Sequence, residues 1–238
     1  MKKISCELCP NTACLIKKNR VPEWAQLLEL GKYQAFYKKD HCVFNVGSPV
    51  HGLFFVQTGM VKEFILRPHN ECEIVRFVGE GQVFGHAGFE NSFYSFGADA
   101  KIDSVVCFLN VETLKQLYSA NPGLLYDLMV FYSNEHSETI YRLTSISLMN
   151  LREKIASVLY YLYKNFGLNS DNELHEFFTR EDIASLASTT SEQVSRQLSD
   201  FQKERIIEKR ARRIAILEPD KLKHIVSEYF ELPQSASY

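Results

Sequence analysis

Thr179-Arg180-Glu181-Asp182-Ile183-Ala184-Ser185-Leu186-Ala187 and, after a short break, Thr190-Ser191-Glu192-Gln193-Val194-Ser195-Arg196 decide how the rest of the chain is read. Thr179 suits a helix N-cap, because its hydroxyl can accept from an orphan backbone N–H of the first turn. Thr190, followed three residues on by Gln193, reads as a capping box. Two short capped helices this close together predict a helix-turn-helix. On the second helix Glu192, Ser195 and Arg196 lie at i, i+3 and i+4. They share one face of its N-terminal half, the half that a recognition helix sets into the major groove. Arg can donate two hydrogen bonds to guanine, Glu can accept from cytosine N4 and Ser can do either, so the trio can discriminate bases. Thr190 and Ser191, which open the helix, belong to the same DNA-binding set. The competing reading of Glu192 and Arg196 is a solvated ion pair worth a few tenths of a kcal/mol.

The sequel favours nucleic acid. From Arg196 to Arg213 the chain carries Arg196, Lys203, Arg205, Lys209, Arg210, Arg212 and Arg213 against Asp200, Glu204 and Glu208, a local excess of +4 in a chain of net charge −2. Lys209, Arg210, Arg212 and Arg213 stand between the apolar runs Ile206-Ile207 and Ile214-Ala215-Ile216-Leu217. The pattern predicts a β-hairpin with a basic tip, the wing of a winged helix, set on the phosphate backbone.

Upstream, Pro and Gly nearly vanish from Pro122 onward and apolar residues recur at three and four spacing: Leu125, Leu128, Met129, Tyr132, His136, Thr139, Leu143 and Ile146. This predicts one long helix whose stripe is nearly a heptad seam, with polar His136 and Thr139 placed to fix register between two chains. The alternative is a helix packed on its own domain. A second helix, Leu151 to Phe166, ends at Gly167, and Asn169 to Asn172 is expected to be a loop. Further upstream the texture is different. Eight of the 11 glycines fall between Gly47 and Gly97, and they punctuate short Val-, Phe- and Ile-rich segments such as Leu53-Phe54-Phe55-Val56. Strands so spaced predict an antiparallel sandwich or roll. Pro22 to Leu28 reads as a short amphipathic helix.

The 238 residues allow two modest domains or one large one. Hydrophobic content of 45% with 24% charge excludes disordered and collagen-like classes. There is no long apolar run, and the first residues lead into cysteines and charge, so a cytoplasmic protein without membrane attachment is expected. Six cysteines in a reducing compartment are not expected to form a disulfide framework. Enzyme signatures are missing: there is no Gly-Lys-Ser/Thr phosphate loop, no Ser-His-Asp spacing and no paired catalytic carboxylates.

Three stretches together resemble the CRP/FNR superfamily, the cyclic-AMP receptor protein and the fumarate-nitrate reduction regulator. They are Phe44 to Lys62, Gly79-Glu80-Gly81-Gln82-Val83-Phe84-Gly85, and Thr179 to Lys203 with its Glu-x-x-Ser-Arg pattern. The resemblance implies an α+β chain with an N-terminal antiparallel β-roll like the cyclic-nucleotide-binding jelly roll, a long dimerisation helix and a C-terminal winged helix-turn-helix. The expected division is a cysteine-rich segment over 1–20, the sensor roll over 21–120, the dimerisation helix over 121–149 and the DNA-binding domain over 150–238. It also implies a homodimer, a palindromic double-stranded promoter site, RNA polymerase as partner, and the FNR-like branch with its TTGAT-type half-site. Ser188 departs from the family pattern, which often has Gly in this turn.

The same resemblance bears on sensing. The family's nucleotide pocket uses a Glu for the ribose and an Arg for the cyclic phosphate. Here His86 and Phe96-Gly97 stand at those places, so a buried phosphate would lack a cationic partner and cyclic nucleotide is not the expected ligand. Cys6, Cys9 and Cys14, with two and four residues between them, can converge on a metal or iron-sulfur centre. FNR-type sensors have a similar trio, with five residues in the second gap, and take a fourth thiolate just before the dimer helix. Cys107 stands at that position. The set Cys6, Cys9, Cys14 and Cys107 is therefore expected to hold an iron-sulfur cluster, of the four-iron four-sulfur type. The alternatives are zinc or an unligated tail, Cys107 as a small buried hydrophobe, Cys72 as the fourth ligand with Cys42 a bystander, haem on His86 or His51, and a metal-free regulator with an apolar ligand near Phe89, Phe93 and Phe96.

Overall fold

The computed structural model describes residues 4–68, 72–86, 92–175, 178–211 and 213–230. The chain forms two compact units, Met1–His136 and Ser137–Tyr238. No described helix is long and apolar enough to cross a membrane.

The first unit begins with the short helices α1 (Leu15–Lys18) and α2 (Trp24–Gly31), the latter the amphipathic helix expected near Pro22. Eight strands follow: β1 (Lys32–Tyr37), β2 (Cys42–Phe44), β3 (Gly52–Thr58), β4 (Val61–Leu66), β5 (Cys72–Val78), β6 (Val83–Phe84), β7 (Gly97–Ala100) and β8 (Ser104–Asn110). They make two four-stranded antiparallel sheets, ordered β1-β8-β3-β6 and β2-β7-β4-β5. Helix α3 (Val111–Ala120) leaves β8 with Asn110 as N-cap, its side chain accepting from the Thr113 N–H at 2.8 Å. At Gly59, between β3 and β4, φ is +92° and a Cβ would lie 2.4 Å from Ser104 Oγ, so only glycine fits that turn.

The period of two along β3 and β8 sorts their side chains onto opposite faces. Val56 and Val106 face a core between the sheets with Phe44, Val61, Val78, Phe84 and Tyr94. Leu53, Phe55 and Leu109 face the other way, onto Trp24, Leu28, Leu114, Leu117, Leu124 and Leu128. Burying each such large side chain contributes roughly 1.5–3 kcal/mol. Cys107 shares the Leu109 face, so it looks toward the N-terminal segment rather than into the space between the sheets.

Helix α4 (Pro122–Leu148) is the long helix that the loss of glycine predicted. Its exposed apolar side chains are Leu125, Tyr126, Met129, Val130, Ile140, Leu143 and Leu148. This corrects the expected seam in part. Leu128 is 1% exposed and belongs to the first unit's own core, and Ile146 is buried as well. Tyr132 packs at the edge of that core, its ring 4.6 Å from His86. Thr139 is half-buried. A stripe four residues wide can serve a core on one side and expose the other, and the heptad count did not separate the two.

The second unit holds α5 (Leu151–Phe166), α6 (Arg180–Leu186), α7 (Ser191–Lys203), the hairpin β9 (Ile207–Arg210) and β10 (Arg213–Ile216), α8 (Pro219–Ile225) and α9 (Ser227–Phe230). Helix α5 closes at Gly167, φ +70°, as expected. The caps depart from expectation. At Thr179 a complete box forms with Asp182, whereas at Thr190 only half forms: its hydroxyl accepts from the Gln193 N–H at 3.3 Å, and the Gln193 side chain accepts from Thr189 instead of reaching back. Ser188, in the turn of the motif, has φ +47°, a conformation costly for a residue with a Cβ.

Candidate functional site

Helix α7 buries Val194, Leu198 and Phe201, at i, i+4 and i+7, each 0% exposed. Burial of that stripe turns Glu192 and Arg196 outward. Ser195 is half-buried, its hydroxyl donating to Ser191 C=O at 2.8 Å, which leaves its lone pairs to accept. The Glu192 carboxyl is held below its ordinary range, first by its own backbone N–H at the helix start, then by the Thr190 hydroxyl, with the Arg196 charge a smaller cause. No hydrogen bond engages Arg196 among the described residues. The structure thus brings Thr190, Ser191, Glu192, Ser195 and Arg196 to the exposed start of one helix.

The wing differs from the sequence expectation. The strands extend into the basic run, so Lys209 and Arg210 belong to β9 and Arg213 to β10, paired across the hairpin, while Arg212 lies outside the described residues. The cations are also engaged. Lys209 donates to Ser199 Oγ at 2.9 Å. Arg210 donates to Glu208 at 2.7 Å, to Asp171 C=O at 3.1 Å and to Glu173 at 3.4 Å, and Arg213 donates to Glu173 at 3.1 Å. Glu173 is 5% exposed. It directly follows Asn169 to Asn172, the expected loop, and docks on β10. Glu173 bridges to Ala215, the Leu174 N–H donates to Ile214 C=O at 2.8 Å, and the Ile216 N–H donates to Asn172 C=O at 2.9 Å. No local signal in Asn169 to Glu173 announces this, because the partner strand lies some forty residues on.

At the other end of the chain Cys6, Cys9, Cys14 and Cys107 line one small cavity of about 30 Å³, together with Asn11, Lys17, Lys32 and Gln57. The N-terminal segment is laid along the sheet by side chains that bond main chain. Asn11 Nδ2 donates to Gln57 C=O at 3.1 Å, Lys17 Nζ donates to Cys9 C=O, Lys32 Nζ donates to Ile4 C=O at 2.5 Å, and the Ile4 N–H donates to Gln34 Oε1 at 2.9 Å. Gly81 lies beneath the segment, where a Cβ would come within 2.7 Å of Ala13 Cβ. Burial raises the Cys14 thiol and pushes Cys107 up to about 12, with the nearby Lys32 charge acting the other way on Cys107. Among the described residues, no three His, Cys, Asp or Glu side chains stand close enough to hold one metal ion. Cys42 and Cys72 are exposed and do not line the cavity. Lys17 and Lys32 were missed by the sequence reading, since nothing in their neighbours marks them as facing sulfur.

Two further features belong to the roll. A guanidinium, Arg76, is buried between carboxylates. Its Nε donates to Glu63 at 2.6 Å and its Nη2 to Val83 C=O at 3.1 Å, and it is paired with Glu135. Beside it His86, whose Nδ1 has no hydrogen-bond partner among the described residues, is driven down to about 4 by burial. Separately, a cleft of about 830 Å³ is lined by Tyr33, Tyr37, Phe44, Phe54, Tyr94 and Phe108, with His51 and Cys42 at its edge. Phe93, named with Phe89 and Phe96 for an apolar pocket, is 53% exposed, and Phe89 lies outside the described residues.

Comparison with known proteins matches residues 34–121 to the cyclic nucleotide-binding domain and residues 153–225 to the Crp-like helix-turn-helix domain. Electron transport regulator A of Shewanella oneidensis is 28% identical over 222 residues, 92% of this chain and 89% of that protein. The fumarate and nitrate reduction regulatory protein of Vibrio cholerae is 26% identical over 217 residues, 90% and 87% of the two chains. Among solved structures, FixK2 of Bradyrhizobium japonicum superposes with a TM-score of 0.74 at 22% identity, over 82% of this chain and 98% of that one. A CRP/FNR family transcriptional regulator of Thermus thermophilus gives 0.69 at 19%, over 82% and 98%.

Proposed function

From the premise that this chain belongs to the CRP/FNR superfamily and is a DNA-binding transcriptional regulator, not an enzyme, we propose that it is a homodimeric redox or gas sensor of the FNR-like kind. The observation that carries this reading is the convergence of four thiols, three from the N-terminal segment and one from β8, on one cavity.

The donor set, four cysteine sulfurs lining a common space, is one that iron-sulfur clusters use. The two lysines on the same wall compensate the charge of ligating thiolates. Bound there, the cluster would supply reactivity toward oxygen or nitric oxide, the stimuli that the resemblance implies. Cys6, Cys9, Cys14 and Cys107 would hold it, Lys32 would favour the Cys107 thiolate, and Asn11 and Lys17 would keep the segment on the sheet. Metal-thiolate bonds available in only one state are the differential contact that a switch requires.

The dimer would form through Leu125, Met129, His136 and Leu143, the members of the expected seam that remain exposed. Its two recognition helices would meet half-sites of a palindrome about one helical turn apart, with Arg196 on a base edge. RNA polymerase as partner, a cytoplasmic setting and the division of the chain at 20, 120 and 149 go with this reading.

Anaerobic purification with iron and sulfide analysis is the test. About four irons per chain, lost in Cys107→Ala, is the expected result; a colourless, iron-free protein under strictly anaerobic conditions would sink the cluster. The second reading, a metal-free regulator with a small ligand or haem in the roll, is favoured by the aromatic cleft and by His51 at its edge. It would be supported by haem or an aromatic ligand co-purifying with iron-sulfur-free protein.

A further inference from the structure

Glu173 is a nearly buried carboxylate whose two oxygens meet two wing arginines, Oε1 facing Arg210 at 3.4 Å and Oε2 facing Arg213 at 3.1 Å. Its ionised form is favoured first by the hydrogen bond from Asn169, then by Arg213 and Arg210. Asn169 holds it from the backbone side as well, since the Glu173 N–H donates to Asn169 Oδ1 at 2.9 Å. The arginines are 41% and 43% exposed while the carboxylate beneath is 6% exposed. A second carboxylate, Glu208, takes Arg210 at 2.6 Å from the strand surface, where it is 47% exposed. Among the described residues of the wing, Lys209, Arg210 and Arg213 are thus set against Glu173 and Glu208. Counting Arg212 from the sequence, the run Lys209 to Arg213 carries four cations, and these two carboxylates offset two of them.

We propose that Glu173 is a positioning residue of the DNA-binding wing: it holds Arg210 and Arg213 in place from below and, by compensating their charge, limits how many backbone phosphates the wing can neutralise. Each guanidinium has five donors in a fixed fork. The two guanidiniums are 41% and 43% exposed, so a phosphate can approach from the solvent side while the carboxylate stays beneath. The charge each offers to a phosphate is nonetheless reduced by the carboxylate already there. Affinity of this kind is sequence-independent and is read out by salt, because each phosphate neutralised contributes about 0.9 to the slope of log K against log salt. The wing therefore sets a ceiling on nonspecific binding while α7 keeps the base contacts, a division useful to a protein that must leave random DNA. The inference rests on the DNA-binding reading and deepens it.

The experiment uses the full chain, prepared anaerobically, and a random-sequence duplex. Binding is followed by fluorescence anisotropy across a series of salt concentrations. The wild type is expected to bind with a finite salt slope; no binding at low salt would fail the DNA-binding reading itself. Glu173→Gln keeps the shape and the acceptor for Asn169 but removes the charge. It is expected to steepen the slope by about 0.9, one further phosphate, with tighter binding at the low-salt end. A purely structural Glu173 would instead leave the slope unchanged or make it shallower as the wing loosens, and that result in a cooperatively folding variant would overturn the proposal. If Glu173→Gln does not fold, Glu208→Gln decides. That exposed residue should steepen the slope by a smaller amount, and no change there would count against charge compensation.

Discussion

The roll buries an arginine-carboxylate pair of a kind that the winged domain wears at its surface. In the roll, Arg76 and Glu63 are 9% and 2% exposed and are locked by further bonds to Val83 C=O and the Gly85 N–H. In the winged domain, Arg152 and Glu204 form a two-bond pair at 2.6 and 2.7 Å but are 36% and 44% exposed. Both are arginine-carboxylate pairs of good geometry. Solvent makes the difference: in the roll each ion depends on its partner, whereas in the winged domain water can replace either one. The same contrast separates the cysteine cavity, where burial disfavours thiolates until something compensates them, from the wing, whose arginines can exchange one anion for another.

The largest test of this contrast is Arg76→Met. It leaves Glu63 buried without its main partner and is expected to cost about 3–5 kcal/mol. Trp24, the only tryptophan and 0% exposed in the roll, gives a fluorescence readout of that unit in a denaturant titration; a loss under 1 kcal/mol would remove the distinction. Next comes pH. His86 is held down to about 4, opposed by Glu63 and reinforced by Arg76. A depressed folded value means that stability is fully present above the ordinary histidine value near 6.5 and is lost as pH falls through 4, by about 3 kcal/mol at most. The acid limb of the Trp24 melting curve should therefore flatten in His86→Phe. On the exposed side, Arg196→Ala should weaken binding to the cognate site by about 1–3 kcal/mol and relax discrimination at one base pair, as a footprint or a binding selection would show. The smallest effect is expected from Arg152→Ala, at most about 1 kcal/mol of stability in the winged domain, even with the guanidinium 4.9 Å from the Phe201 ring.

The sequence made some of this legible and hid the rest for physical reasons. Thr179, Thr190 and Gly167 were readable because caps act within one turn, and α7 was readable because its buried stripe has the helical period. The box at Thr190 failed on a competitor one residue away, Thr189, which no spacing rule weighs. On the expected seam Leu125, Met129 and Leu143 are exposed while Leu128, on the same stripe, is taken by the core around Trp24, a division that a heptad count does not make. Cys107 could be placed with the N-terminal trio only by resemblance, since β8 and the tail are distant in sequence. Glu173 was invisible for the same reason: its meaning comes from a strand pairing with β10. Local chemistry could be read from the chain, and long-range pairing could not.

The bonds that lay the N-terminal segment on the sheet run from Asn11, Lys17, Lys32 and Gln34 to main-chain groups, and none of them involves sulfur. The segment therefore has a resting place that does not depend on what the cysteines hold. In kinetic terms, Cys6, Cys9 and Cys14 are kept at high effective concentration near Cys107. A centre lost from this site would leave its ligands assembled, and regaining it would be a local, intramolecular event rather than a refolding.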